Sequence, residues 1–349
     1  MKSYRVIGLM SGTSLDGLDM AYCCFHEKQG RWQYSIEQAQ TIEFDAEMKQ
    51  RLEQAVQLSG LDLWKLHTDF GVWMGEQVAD FMKKNHISAD FIASHGHTVF
   101  HQPHKRLNLQ IGQPLAIRQR TGLPVVADFR TPNILAGGQG APLVPIGDKL
   151  LFAEYDYCIN IGGFANISYD DDHGNRVAFD VAPANLIFNR LAQQFGCYFD
   201  KNGMIGTQGR VDATLLNRLN QLEYYAEKFP KSLGVEWLEQ AFLPLFQKST
   251  LLIPDKLRTA YEHLIVQLMR VLKPQKKVLL TGGGVLNISL VYWLTANYDG
   301  QFIVPDKQLI DFKEALIFAF LGVLKMENQP NCLASYTGAP SDMVCGTVY

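Results

Sequence analysis

Short apolar runs broken by glycine open the chain, and stretches with an apolar residue every three or four positions follow them. Residues 4–10 form the first run and read as a β-strand. A turn at 11–17 and a second strand at 18–25 come next, then a third strand over 32–41. Helical spacing takes over at 46–58 and again at 62–84. In the second of these helices Trp64, Phe70, Trp73, Val78 and Phe81 are large apolar residues suited to a buried stripe. His67 among them reads as a surface or hydrogen-bonded side chain, not a ligand.

The middle of the chain repeats this opening. Residues 155–161 form an apolar strand, Gly162-Gly163 a turn, and 164–169 a second strand. Asp170-Asp171-Asp172-His173-Gly174-Asn175 is a hairpin turn, and 176–180 a third strand. Helical patterns follow at 186–195, 255–272 and 312–325, and a strand at 277–280 leads into Thr281-Gly282-Gly283-Gly284. Each half thus begins with a β-meander pivoting on glycine, which predicts two similar α/β lobes facing each other. No linker or low-complexity segment divides them, so a broad interface with a hinge is expected.

Composition narrows the classes of function. The 349 residues are 47% hydrophobic and 19% charged, which suits two folded domains and excludes a disordered polymer. A formal net charge of -3 supplies no basic field for nucleic acid or an anionic membrane. A phosphate ligand is therefore expected to be held locally, by loop amides and a metal ion. No apolar stretch approaches the ~20 residues of a spanning helix. The first residues also lack the longer apolar core of a secretory signal. The expectation is a cytoplasmic protein with no nucleic-acid or membrane partner. Cys23, Cys24, Cys158, Cys197, Cys332 and Cys345 show no CxxC spacing and read as reduced thiols.

Three glycine turns follow apolar strands: Ser11-Gly12-Thr13, Gly162-Gly163 and Gly282-Gly283-Gly284. Glycine at a strand end lets main-chain N–H groups approach a phosphate with no Cβ in the way. One such turn is weak evidence, since a bland hairpin explains it as well; three in order are more specific. The P-loop pattern is absent, because the stretch from Gly12 to Asp19 lacks the lysine and the hydroxyl residue after it. No GxGxxG opens the first unit either.

These residues, taken together, resemble one family. Ile7-Gly8-Leu9-Met10-Ser11-Gly12-Thr13-Ser14-Leu15-Asp16-Gly17-Leu18-Asp19 looks like the N-terminal signature of anhydro-N-acetylmuramic acid kinases. Ser94-His95-Gly96-His97-Thr98, Asp128-Phe129-Arg130 and Gly137-Gly138-Gln139-Gly140-Ala141-Pro142-Leu143-Val144-Pro145 match as well. So do Asn160-Ile161-Gly162-Gly163-Phe164-Ala165-Asn166, Pro230-Lys231-Ser232-Leu233-Gly234, Gly282-Gly283-Gly284 with Asn287, and Thr337-Gly338-Ala339. The matches keep family order from residue 7 to residue 339.

The resemblance implies an α/β protein of two actin-like (ribonuclease H-like) lobes with an inter-lobe nucleotide cleft. The lobes are expected at 1–129, completed by about 332–349, and at 130–331. The implied reaction opens the 1,6-anhydro bridge of anhydro-N-acetylmuramic acid with water and phosphorylates O6 with ATP. The product is N-acetylmuramic acid 6-phosphate, an intermediate of cell-wall recycling. The family uses magnesium (Mg2+) and is typically homodimeric.

Roles follow residue by residue. Asp180 is the candidate general base for the attacking water; read without the family, it is a helix-capping aspartate. Gly12, Thr13, Ser14, Leu15, Asp16, Gly17, Leu18 and Asp19 are candidates for the phosphate cradle, with Asp16 holding magnesium through water. Gly162 and Gly163 clasp the phosphates from the other lobe, and Gly282, Gly283, Gly284 and Asn287 line the nucleoside. His97, Thr98, Arg130, Asn185 and Glu314 are candidates for the sugar pocket. Arg130 suits the lactyl carboxylate of the substrate, or else pairs with Asp128 or another acid. His95, His97, His101 and His104 invite a metal reading, because His95 and His97 would share one face of a strand. The lack of acidic or cysteine partners nearby disfavours it.

Two departures stand out. His97 replaces a usual glutamine, and Asp180-Val181-Ala182-Pro183-Ala184-Asn185 replaces Asp-Thr-Gly-Pro-Gly-Asn. Alanine for glycine restricts positive φ and crowds a close ligand. The reaction is expected to be kept, with the fit to the sugar left open. A related kinase with a different sugar, or a non-catalytic nucleotide-binding actin-like protein, are the alternatives.

Overall fold

A computed structural model describes residues 2–12 and 14–349. The chain divides into two compact units, residues 1–151 with 311–349, and residues 152–310. The sequence expectation placed the divisions near 129/130 and 331/332. The difference has a packing cause. Residues 130–151 are tied to the returning C-terminal segment: Asn133 Nδ2 donates to Thr337 Oγ1 at 3.2 Å, and Gln139 N donates to Thr337 O at 2.7 Å. Buried Asp148 and Lys313 pair at 2.8 Å.

Unit 1 is built on β1 (Lys2–Ser11), β2 (Gly17–Lys28), β3 (Arg31–Glu43), β4 (Phe91–Gln102), β5 (Leu107–Ile111), β6 (Val125–Ala127) and β12 (Thr347–Val348). The sheet order is β12-β6-β4-β1-β2-β3, with β5 paired to β4. β1, β2 and β3 form an antiparallel meander, while β4 and β6 add in parallel beyond β1. Ile7, Leu9, Leu18, Met20 and Ile92 pack with Phe70, Met74 and Val78 of the helix Gly60–Asn85. The next face of β1 meets the helix Lys307–Met326, where Gly8 lies directly against Ala315. That helix ends in a long apolar run from Ala315 to Leu324, buried throughout, as its sequence requires. Within the stripe expected on Gly60–Asn85, Phe70, Val78 and Phe81 are buried, but Trp64 is 62% exposed. Trp64 lies in the first turns of the helix, before its first buried residue, Leu66.

Unit 2 repeats the plan with β7 (Tyr157–Ile161), β8 (Phe164–Asp170), β9 (Arg176–Pro183), β10 (Lys277–Thr281) and β11 (Gln301–Ile303). Its order is β11-β10-β7-β8-β9, again an antiparallel meander with two parallel strands added beyond the first. This is the ribonuclease H-like order of an actin-like lobe, and unit 1 shows it also. The helices Asn185–Gln194 and Ile253–Met269 cover one face through Phe188, Leu191, Tyr261, Leu264 and Leu268.

Candidate active site

The residues singled out by sequence fall in both units. In unit 1 the β1–β2 turn carries Gly12, Ser14, Leu15 and Asp16, with Ser14 and Asp16 exposed; Thr13 lies outside the described residues. Leu15 takes a left-handed φ of 59° and donates its N–H to Gly12 O at 3.3 Å. Gly17 and Leu18 are buried at the start of β2. Asp19 follows, half-buried, and accepts from Thr41 Oγ1 at 2.6 Å. Burial raises the Asp19 pKa, the Thr41 bond opposes this, and the charges of Asp311 and Asp16 add to it.

Glu314 stands one helical turn from Asp311. The residue is exposed, yet desolvation of its carboxyl raises its pKa. Arg130 and Lys313 oppose that shift, and Asp19 reinforces it. Arg130 is half-buried, and desolvation lowers its pKa to about 10 against the pull of Glu314. Arg130 does not pair with Asp128. Its Nε donates to His95 Nε2 at 3.0 Å and its Nη1 to Gly140 O at 2.8 Å, while Asp128 Oδ1 caps the Thr131 N–H at 3.1 Å.

The histidines of β4 do not share a face. Gly96 between them has φ +73°, which breaks the alternation of the strand. His95 turns to Phe318, 4.6 Å between ring centroids, and His97 to Phe70, 6.4 Å away. His95 bonds Gly96 O through Nδ1 at 3.0 Å and accepts from Arg130 at Nε2, so it is the neutral Nδ1–H tautomer. Burial, Arg130 and neighbouring histidines hold its pKa well below the usual value. His97 is 4% exposed and hydrogen-bonds Ser11 Oγ at 3.0 Å; burial lowers its pKa to about 4. Its ring is thus engaged beneath the glycine turn, not open to a sugar. His67, expected to be satisfied, is: its Nδ1 accepts from Gly112 N at 3.1 Å.

A cavity of about 370 Å³ lies beside these residues within unit 1, lined by Ser94, His95, Asn108, Gln110, Asp128 and Thr131 among others. Ser94 Oγ is buried there with no hydrogen-bond partner. The lining is bonded to two sugar candidates, Thr98 through Gln110 at 3.3 Å and Arg130 through His95.

In unit 2, Asp180 lies within β9, three residues before the strand ends, and Ala184 is the residue that caps the following helix. The capping alternative for Asp180 is thereby excluded. Pairing with β8 shifts register between Ala165 and Asn166, so Val181 is an extra residue and Asp180 faces Asn166. Such a bulge re-aims the side chain beside it. Burial raises the Asp180 pKa, and the Leu233 N–H, donating to Oδ2 at 2.8 Å, opposes that rise. The Gly162-Gly163 turn is locked. Gly162 O accepts from Asn185 N at 3.1 Å, and Gly163 O from Ala184 N at 2.9 Å and Leu186 N at 3.2 Å. Asn185 Nδ2 donates to Ile161 O at 3.3 Å.

Gly282, with φ +83°, sits against Asn160, where a Cβ would come within 2.6 Å of Oδ1. Gly283 and Gly284 begin a short 3-10 turn. Asn287 caps the next helix, accepting from Leu290 N at 3.1 Å, and donates to Tyr261 OH at 3.0 Å. Among the described residues no group of three or more His, Cys, Asp or Glu has the geometry to hold a metal ion by itself. None of the six cysteines is in a disulfide.

The family model for anhydro-N-acetylmuramic acid kinase matches residues 4–349. The chain belongs to the anhydro-N-acetylmuramic acid kinase family. Proteins named anhydro-N-acetylmuramic acid kinase from Hydrogenovibrio crunogenus, Vibrio cholerae and Shewanella putrefaciens are 31%, 33% and 34% identical to it. Those alignments cover 98%, 98% and 99% of this chain and 97%, 97% and 98% of the relatives. Family membership makes the chain a kinase. The sequence reading missed the groups that hold Asp180, namely Tyr224 and the Leu233 amide, and the contact of Arg130 with His95. The Pro230-Lys231-Ser232-Leu233-Gly234 match was the signal for the first.

Proposed function

We propose that this chain opens the 1,6-anhydro ring of anhydro-N-acetylmuramic acid with water and transfers a phosphoryl group from ATP to O6. Support comes first from a family match spanning residues 4–349. The single structural observation behind the chemistry is Asp180: a half-buried carboxylate on a β-bulge, with Oδ2 held by one amide and no protein donor on Oδ1 among the described residues. Burial raises its pKa, which makes the carboxylate a stronger base than a free aspartate. Asp180 takes the proton of the attacking water as its oxygen bonds the anomeric carbon, the anomeric carbon–O6 bond breaks, and O6 bonds the γ-phosphorus as the bond to the β–γ bridging oxygen breaks and ADP leaves. Coupling the two steps avoids a free alkoxide.

Phosphoryl transfer asks mainly for positioning and charge neutralisation. The amides of the Gly12–Asp19 turn and of Gly162 and Gly163 are assigned to the phosphates, and Gly282–Gly284 with Asn287 to the nucleoside. Asp16, close enough to Asp19 to affect its ionisation, supplies hard oxygen donors. That set fits magnesium, which takes one or two carboxylates plus phosphate oxygens and water. Bound magnesium would neutralise charge on the transferring phosphoryl group. Thr98, Arg130, Asn185 and Glu314 are assigned to the sugar, with His97 acting through Ser11. We also assign a homodimeric state and a cytoplasmic location, on the family pattern.

A coupled assay with and without the anhydro sugar tests this reading. ADP release should require the sugar, and the product mass should rise by one water plus one phosphoryl group. ADP release independent of the sugar, or a product lacking the added water, would refute it.

A further inference from the structure

We infer that Lys231, acting through Tyr224 and Leu233, is a positioning residue that aims the carboxylate of Asp180. The inference rests on the assignment of Asp180 as general base.

Asp180 is gripped twice by one segment. Its main-chain O accepts the Tyr224 hydroxyl at 2.5 Å, and its Oδ2 accepts the Leu233 N–H at 2.8 Å. This segment has little regular structure of its own: a 3-10 turn at Glu223–Ala226 and a short helix beginning at Val235. Ladder hydrogen bonds therefore do not set the position of the Leu233 amide. Lys231 does. Its Nζ donates to Tyr224 O at 2.9 Å and lies 4.4 Å from the centroid of the Tyr224 ring. The same Nζ is 5.7 Å from the Phe179 ring, and Phe229 stacks on the far part of that cluster, 5.7 Å and 6° from Phe179.

The cation thus closes residues 224–231 on themselves and against the residue that precedes Asp180. Attraction of an ammonium to two aromatic faces, strengthened by partial desolvation, holds it there. The geometry then leaves one carboxylate oxygen occupied and one open. An amide bonded to Oδ2 both fixes the rotation of the carboxylate and favours its charged form. With that bond in place, Oδ1 is the oxygen available to the water. Without Lys231, the segment keeps its covalent connections but loses the bond that sets where Leu233 N–H points.

The test uses the full chain carrying Lys231→Met, which keeps the apolar stem and removes the ammonium. We expect kcat to fall by about 10- to 100-fold, the scale of an angstrom-size misplacement of a catalytic group. KM for ATP and for the anhydro sugar should stay within about twofold. The acidic limb of the kcat profile should move to higher pH, because losing the Leu233 bond removes what keeps the carboxylate ionised. Lys231→Arg should restore part of the rate and return the limb toward its original position. If Lys231→Met does not fold, Tyr224→Phe removes a single oxygen and carries the same expectation for the limb. Wild-type kcat with an unmoved limb overturns the inference, and so does a lower kcat with an unmoved limb. Asp180→Asn separates the two levels. Should that variant turn over normally, the base assignment itself falls; should it be inactive while Lys231→Met behaves as wild type, only the role of Lys231 falls.

Discussion

In unit 1 the turn between β1 and β2 leaves Ser14 and Asp16 exposed. In unit 2 the equivalent turn between β7 and β8 is only Gly162-Gly163, with both carbonyls taken by the amides of residues 184–186. The charged side chains follow the same division. In unit 1 Arg130 and Asp19 act on the ionisation of Glu314, and Glu314 on that of Arg130, while Asp180 in unit 2 titrates against burial and a single amide. Two lobes with one strand order have therefore been specialised differently. On the proposed function, one supplies side-chain charge for phosphate and metal, and the other supplies rigid backbone and one acid–base group.

The sharpest way to break this comparison is at Asp180. Asp180→Asn should lower kcat by about 10²- to 10⁴-fold, the usual range for a lost general base, while nucleotide binding measured by calorimetry persists. A comparable loss of nucleotide affinity would place Asp180 in the phosphate machinery, erasing the division.

Acid should affect both units alike. His97 in unit 1 has its pKa lowered to about 4, and His263 in unit 2, bonded to Asn220 Oδ1 at 2.9 Å and Tyr225 OH at 2.7 Å, to about 3. Burial is the cause of the first and the larger cause of the second, where Arg270 adds. An unfolded histidine binds its proton near pH 6.5, so each site contributes stability above that value that is lost as pH falls toward the folded pKa. The loss is on the order of 1–4 kcal/mol for each histidine. Denaturant unfolding from pH 7 to pH 4 should show it, and His97→Gln should flatten part of the fall.

Smaller again is the effect of rigid backbone. Gly282→Ala forces a side chain onto φ +83° beside Asn160 and should cost about 1–3 kcal/mol, read as a lowered Tm. The smallest change is at Trp64, which is 62% exposed. Trp64→Ser should shift stability by no more than about 0.5 kcal/mol, whereas a residue of the buried stripe expected from the sequence would cost several times more.

Much of this protein was legible before any coordinates. Short apolar or alternating runs bounded by turn residues located seven strands, three of them running into a glycine turn, because a strand shows its buried face as a period of two and a tight turn favours a residue without a Cβ. Helical spacing located the long helices, and the ordered motifs pointed to the family that the comparisons show. Those features are local, set by the burial period and by backbone conformation. Tertiary structure alone decided which groups meet. Leu233 reaches Asp180 across 53 residues, His97 reaches Ser11 across 86, and Asn133 reaches Thr337 across 204. Nothing in a local pattern encodes such pairings. They depend on strand register, on the bulge at Val181 and on the positive φ of Gly96, each of which turns a side chain to a face that simple alternation would not assign it.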